Sequence, residues 1–213
     1  MKDFFKKYHH AWTLLYVLIY MPWFMWLEQH VTTDFHVIHM SIDDHIPFCE
    51  YFIIPYFLWF LFVPAVMIYE FFYSRREYYQ ACAFLFIGMT IFLIICTIWP
   101  NGLNLRQDIS YRNNICADLV RMLRQTDTST NVFPSIHVFN TLGCFIALMK
   151  SKGMQGHKII KLSAAILSVL IILSTVFLKQ HSVADVIGGF ALAAIMYLIV
   201  YVPNWSSKKE HVH

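Results

Sequence analysis

Charge is scarce in this chain. Asp, Glu, Lys and Arg make up 14% of its 213 residues, against 58% hydrophobic residues. A soluble domain carries about a quarter charged residues and is about half apolar, so the balance excludes an ordinary water-facing globule. The scarcity is also concentrated. The four charged types are absent from 11–27, 51–69, 78–105, 128–149, 162–178 and 186–207. Each block can hold a helix of about 17–25 residues, the length that crosses a bilayer. The expected fold is all-α: a polytopic membrane protein, a six-transmembrane-helix bundle forming one domain over residues 1–213. No large soluble domain fits in what remains.

The first block does not read as a cleavable signal. It is too long for a signal core, and bulky Trp23, Phe24, Met25 and Trp26 stand where a small-residue cleavage site would be. Cysteine excludes little. Cys82, Cys96 and Cys144 fall in apolar blocks, and Cys49 and Cys116 fall in loops, where pairing stays open. No basic patch comes with a nucleic-acid motif, so no nucleic-acid partner is expected.

The cations that remain are unevenly placed. Lys2, Lys6 and Lys7 precede the first block, and Arg75 and Arg76 follow the second. Lys150, Lys152, Lys158 and Lys161 join the fourth and fifth, and Lys208 and Lys209 follow the sixth. If six spans alternate, all of these share one side. Arg106, Arg112, Arg121, Arg124 and Lys179 fall on the other. The positive-inside rule then puts both termini in the cytoplasm. It also puts the Asn204-Trp205-Ser206 sequon inside, where it is not expected to act. The expected location is the plasma membrane.

Two outer loops follow from this topology. The first, residues 28 to 50, is rich in histidine and acid. His36 and His39 have helical ligand spacing, with Asp43 as a conceivable third ligand, but the loop is not clearly helical and no metal is expected. A substrate-contact or lid role suits Asp43, Asp44 and His45 better. The second, residues 100 to 133, contains a short amphipathic helix over 115–123, with Ile115, Leu119, Met122 and Leu123 on one face.

Two short patterns carry the chemistry. Pro134-Ser135-Ile136-His137 opens the fourth block, and His181-Ser182-Val183-Ala184-Asp185 opens the sixth. Both fall at the outer boundary. Proline suits a first helical turn, and the free N–H groups of that turn, with the Ser135 hydroxyl, can bind an anion. Ser182 and Asp185 have the form of a capping box, which leaves Asp185 able also to orient His181. Two histidines, a carboxylate and a hydroxyl at one boundary supply what attack on a phosphate ester needs: a nucleophile, a residue to orient it, an acid for the leaving group and a donor for oxygen. Ionisable groups at such depth are costly and usually functional.

These patterns resemble the type 2 phosphatidic acid phosphatase family of membrane lipid phosphatases. That family carries Lys-x6-Arg-Pro, Pro-Ser-x-His and Ser-Arg-x5-His-x3-Asp. The second is present, with Ile136 where glycine is usual. The third is present in part: Ser174, His181 and Asp185 keep its spacing, and Thr175 stands at the arginine place. The first is reduced to Arg106, with Trp99 at the lysine place and Gln107 at the proline place. The resemblance implies six spans, catalysis by His181 as nucleophile with Asp185 behind it, and His137 as acid. It implies a phosphate held by Arg106 and Ser135, with Lys179, or else Arg112, Arg121 or Arg124, able to replace a missing cation; the choice among them stays open. It also implies a lipid phosphate substrate drawn from the bilayer, and no cofactor or metal. Sphingomyelin synthases are similar in what they lack. The leading expectation is a membrane lipid phosphatase acting through a phosphohistidine at the outer face. A head-group phosphotransferase, or a non-catalytic lipid-binding relative, remains as the alternative. Oligomeric state is open.

Overall fold

The computed structural model describes residues 8–203. Lys2, Lys6, Lys7, Lys208, Lys209 and the Asn204 sequon lie outside the described residues. Seven α-helices are present among these residues: α1 Val17–His30, α2 Ile53–Tyr73, α3 Arg75–Ile98, α4 Ile115–Thr126, α5 Ile136–Lys150, α6 Lys158–Phe177 and α7 Val183–Val200. A 3-10 stretch, His9–Tyr16, leads into α1. The fold is all-helical, as expected, apart from a two-residue parallel pairing of β1 His36–Val37 with β2 Asn101–Gly102.

Four segments are long and apolar enough to cross a membrane: Glu50–Tyr73, Arg75–Ile98, Lys158–Phe177 and Val183–Val200. The first and fourth charge-free blocks make shorter α-helices, of 14 and 15 residues. The fourth is shortened by its own chemistry. Residues 128–133 do not join the helix, because their backbone is held by β2 and its neighbours. Asn101 Oδ1 accepts the N–H groups of Val132 and Phe133, both at 2.9 Å, and Thr130 bridges to Gly102. Ser135 then caps α5, so Pro134 sits before the helix and not in its first turn.

Helix α5 is the centre of the bundle. It packs against α2, α3, α6 and α7, and is buried on most of its circumference. Between apolar helices in lipid the hydrophobic drive is weak, so close packing over small residues holds them together. Gly88 of α3 shows this: a Cβ there would fall 2.0 Å from a ring carbon of Phe139. Gly143 of α5 meets the ring of Phe84 in the same way. Many large apolar side chains on the outer faces stay exposed, among them Leu61, Phe72, Ile159 and Leu198. A face of that kind fits a lipid environment, and the helix set is compatible with an integral membrane protein.

Helix α5 runs from Ile136 to Lys150, with His137 in its first turn, so it separates two chemically different ends. Arg75, Arg76, Lys150, Lys152 and Lys158 gather where α3 and α6 begin and α5 finishes. His137 and His181 lie at the other end. There the first connecting loop and the 99–135 segment are stitched together by the β1–β2 pair. Helix α4 lies over this end, but its buried stripe is Ala117, Val120 and Leu123. Ile115 and Met122, grouped in sequence on one face with Leu119 and Leu123, are exposed. Cys49 and Cys116 are both free.

Candidate active site

The two patterns meet. His137 Nδ1 lies 3.4 Å from His181 Nε2, and the ring centroids are 5.6 Å apart. On its other side, His181 Nδ1 lies 3.4 Å from Asp185 Oδ2. That separation is an ion-pair distance, longer than a normal N–H···O bond. Local sequence explains the approach. Ser182 caps α7, and its N–H donates to Asp185 Oδ2 at 2.8 Å, so the capping box expected from the sequence forms. The box fixes Asp185 one helical turn from His181. The backbone N–H of His181 and of Gln180 both donate to the Thr175 carbonyl, at 3.0 and 2.9 Å, which turns the chain sharply between α6 and α7. His137 is steadied by rings of α2: Tyr56 at 4.7 Å and Trp59 at 4.4 Å between centroids.

Two cavities adjoin His137. A small one, of about 40 Å³, is polar and includes both histidines, Gln180, Asn131, Thr128 and Glu28. A larger one, of about 360 Å³, is mainly apolar and runs between α1, α2 and α4 along Tyr20, Phe24, Trp59, Phe60 and Leu123.

The three expected phosphate ligands are not brought to these cavities. Ser135 is fully buried at the α5 cap, where its hydroxyl accepts the Val138 N–H. Lys179 is 3% exposed, with a left-handed backbone (φ 58°), and its ammonium donates to the Asp43 carbonyl at 2.5 Å. Arg106 comes closest. Its Nη2 donates to the carbonyls of Asp127 and Thr128, both at 2.7 Å, and to Gln180 Oε1 at 2.6 Å. It stands one layer behind the polar cavity, bracing two of its walls. Burial pulls its guanidinium below the ordinary value, against the opposing pull of Asp127; the group stays charged.

Several residues at this site carried no signal in the sequence analysis. Gln180 is 3% exposed and lines the polar cavity with its amide nitrogen unpartnered. Glu28, at the end of α1, accepts from Thr128 at 2.6 Å and from Asn131 at 2.8 Å. Asp127 accepts the Tyr56 hydroxyl at 2.7 Å. Adjacency to His181 could have flagged Gln180. Glu28 ends a charge-free block, and nothing in its neighbourhood announces its partners a hundred residues away. The His36, His39 and Asp43 set parts company: His36 packs on Trp99, His39 pairs with Asp44, and Asp43 turns into the bundle to meet Ser182.

Residues 106–209 match the family model described as the PAP2 superfamily. The matched stretch begins at Arg106 and contains His137, His181 and Asp185, so the resemblance to the type 2 phosphatidic acid phosphatases holds over the part of the chain that forms this site. Members of that superfamily are generally phosphoric ester hydrolases or related enzymes. No curated protein and no solved structure matches the chain.

Proposed function

We propose that the chain is a six-span membrane enzyme that transfers a phosphoryl group from a lipid through a phosphohistidine. The observation that supports this most is the split environment of His181, with Nδ1 toward Asp185 and Nε2 toward His137 and the polar cavity. Asp185 holds the proton on Nδ1, which leaves the Nε2 lone pair free to attack phosphorus. The N–P bond forms as the P–O bond to the leaving group breaks. His137 gives that oxygen its proton, then takes one from the water or alcohol that breaks the N–P bond. The Gln180 amide nitrogen, unpartnered at the polar cavity, is a donor for a phosphoryl oxygen. This residue set needs no metal ion, since the histidine is itself the nucleophile.

A lipid substrate is supported by the apolar cavity, which connects His137 to the gap between α1 and α2 where an acyl chain can lie. The 14- and 15-residue helices α1 and α5 complete six spans when the 3-10 lead of α1 and the capped start of α5 are counted into the bilayer depth. The charge pattern supports a position for the histidine end on the outer side, with the plasma membrane as the proposed location. The test is purified protein in detergent with radiolabelled phosphatidic acid and phosphatidylcholine, without added metal. The expected result is turnover, plus an acid-labile phosphoenzyme that is absent from His181→Ala. Normal turnover by a folded His181→Ala protein would overturn the reading.

A further inference from the structure

At the end of the bundle away from the histidines there is a third cavity, of about 590 Å³. The last turn of α2, the first turns of α3 and the ends of α5 and α7 enclose it. No step of the chemistry above uses it. Its lining carries both signs of charge: Glu70 and Glu77, with Arg76, Lys150 and Lys152.

Glu70 is the feature that needs explaining. It is 1% exposed, and neither carboxylate oxygen has a hydrogen-bond partner. The Ser151 hydroxyl in the same cavity is committed to Glu77 Oε2, at 2.7 Å. A buried carboxyl without a partner is costly, and an ionisable group inside a span is usually functional. What Glu70 lacks is a donor. The cations of the lining do not supply it. The Lys150 ammonium lies over the Tyr197 ring, 5.1 Å from its centroid. Arg76 and Lys152 are exposed at the mouth, and none of the three is in an ion pair among the described residues. Cations at the rim and an unpartnered carboxyl at the floor thus face one space without joining each other. Tyr73 and Tyr201 add aromatic faces to it, which attract an ammonium.

We infer that this cavity is a second binding site, for a ligand that joins a primary ammonium to a phosphate, as phosphoethanolamine and the phosphatidylethanolamine head group do. The ammonium donates its N–H groups to the two Glu70 oxygens. The phosphate meets Arg76, Lys150 and Lys152, and the arginine fork matches its oxygens. A quaternary ammonium has no N–H to give and leaves Glu70 unpartnered. The volume lies in the range of small-molecule sites. Nothing here uses His137 or His181, so the inference is independent of the phosphohistidine reading.

The experiment is equilibrium binding of labelled phosphoethanolamine to the purified full chain in detergent. Saturable binding is expected. Glu70→Gln should weaken it roughly thirtyfold or more, the effect of removing one partner of a desolvated charge pair. Lys152→Gln, at the exposed rim, should weaken it roughly threefold. Phosphocholine, ethanolamine and inorganic phosphate should each compete at least about tenfold less well than unlabelled phosphoethanolamine, since each lacks a charge-assisted contact. His181→Ala should bind as wild type does, which separates this site from the histidine cavity. Each variant is checked for a native melting transition, and if Glu70→Gln does not fold, Lys152→Gln and the competition series decide. Phosphatidylethanolamine in mixed micelles displaces the label if the ligand is a lipid head group; if it does not, the ligand is the free phosphate ester. The inference is overturned by no saturable binding, by unchanged affinity in folded Glu70→Gln, by phosphocholine or inorganic phosphate competing as well as phosphoethanolamine, or by loss of binding in His181→Ala.

Discussion

Asp43 and Ser182 are bonded across the bundle: the Asp43 carboxylate accepts the Ser182 hydroxyl at 2.5 Å. The same carboxylate takes the Val183 N–H at 2.9 Å and the Met40 N–H at 2.8 Å. An acid from the first connecting loop therefore occupies the positive end of α7, the helix that presents Asp185 to His181. It is 1% exposed, so its donors have no water to fall back on. In sequence, Asp43 suits a substrate-contact or lid role. Its role here is to position: the loop is anchored to the start of α7 through it.

Asp43→Ala is expected to cost about 1–3 kcal/mol, the range for leaving a buried polar group unpaired. Activity should fall further than stability alone explains, because His181 sits next to the loosened cap. Thermal melting and kcat at a temperature well below the melting transition check both. Asp43→Asn, which can still accept through its amide oxygen, should recover part of each. An Ala variant with wild-type melting and kcat would remove Asp43 from the account.

The histidines should separate by leaving group. His181→Ala loses turnover on every substrate, since a nucleophile cannot be bypassed. His137→Ala should lose about 10²–10⁴-fold on an alkyl leaving group, the usual worth of general acid catalysis, and much less on an activated aryl phosphate, whose oxygen leaves without a proton. Kinetics on a matched alkyl and aryl pair decide it. Equal losses on both would deny His137 the acid role.

Gln180 and Arg106 should also divide. Gln180→Ala removes a donor for the phosphoryl oxygen but little packing, so kcat should drop by about 10²–10³-fold, as for the loss of an oxyanion donor, with a small change in melting temperature. Arg106→Ala leaves the Asp127 and Thr128 carbonyls and Gln180 Oε1 without their shared donor. It should lower both activity and melting temperature. If Gln180→Ala is fully active, the amide is a brace for Arg106 and nothing more.

What the sequence disclosed about the site is local in origin. His181 and Asp185 are four residues apart and Ser182 caps their helix, so spacing alone carries that geometry. The apolar blocks announced helices for the same reason. What stayed hidden depends on contacts over long separations. Asn101 captures the backbone of Val132 and Phe133 and so shortens α5, an effect no hydropathy count contains. Lys179, two residues from His181, seemed a ready cation; its left-handed backbone sends it to Asp43 instead. Glu28 meets Thr128 and Asn131 only because the loops fold over one another.

The departures from the family motifs offer the last test. Thr175 stands at the arginine place of the third motif, which invites the idea that Thr175→Arg would restore a phosphate ligand. The structure argues otherwise. Thr175 is fully buried, its hydroxyl donates to the Ile172 carbonyl at 2.8 Å, and its own carbonyl holds the Gln180 and His181 N–H groups. An arginine there must displace packed neighbours, and overpacking a filled interior typically costs about 1–3 kcal/mol. A buried guanidinium with no partner adds a desolvation penalty. Thr175→Arg should therefore lower the melting temperature and reduce activity on phosphatidic acid, by shifting the carbonyl that places His181. Trp99→Lys is a milder case, since Trp99 is 38% exposed and touches His36 and Phe133 at the surface of this end. It should fold, yet leave phosphatidic acid turnover near the wild-type level, because Trp99 lines neither cavity at His137. A large gain on phosphatidic acid from either substitution would mean that the missing cations alone limit turnover of a phosphomonoester, and that the packing around Thr175 and the placing of Trp99 do not.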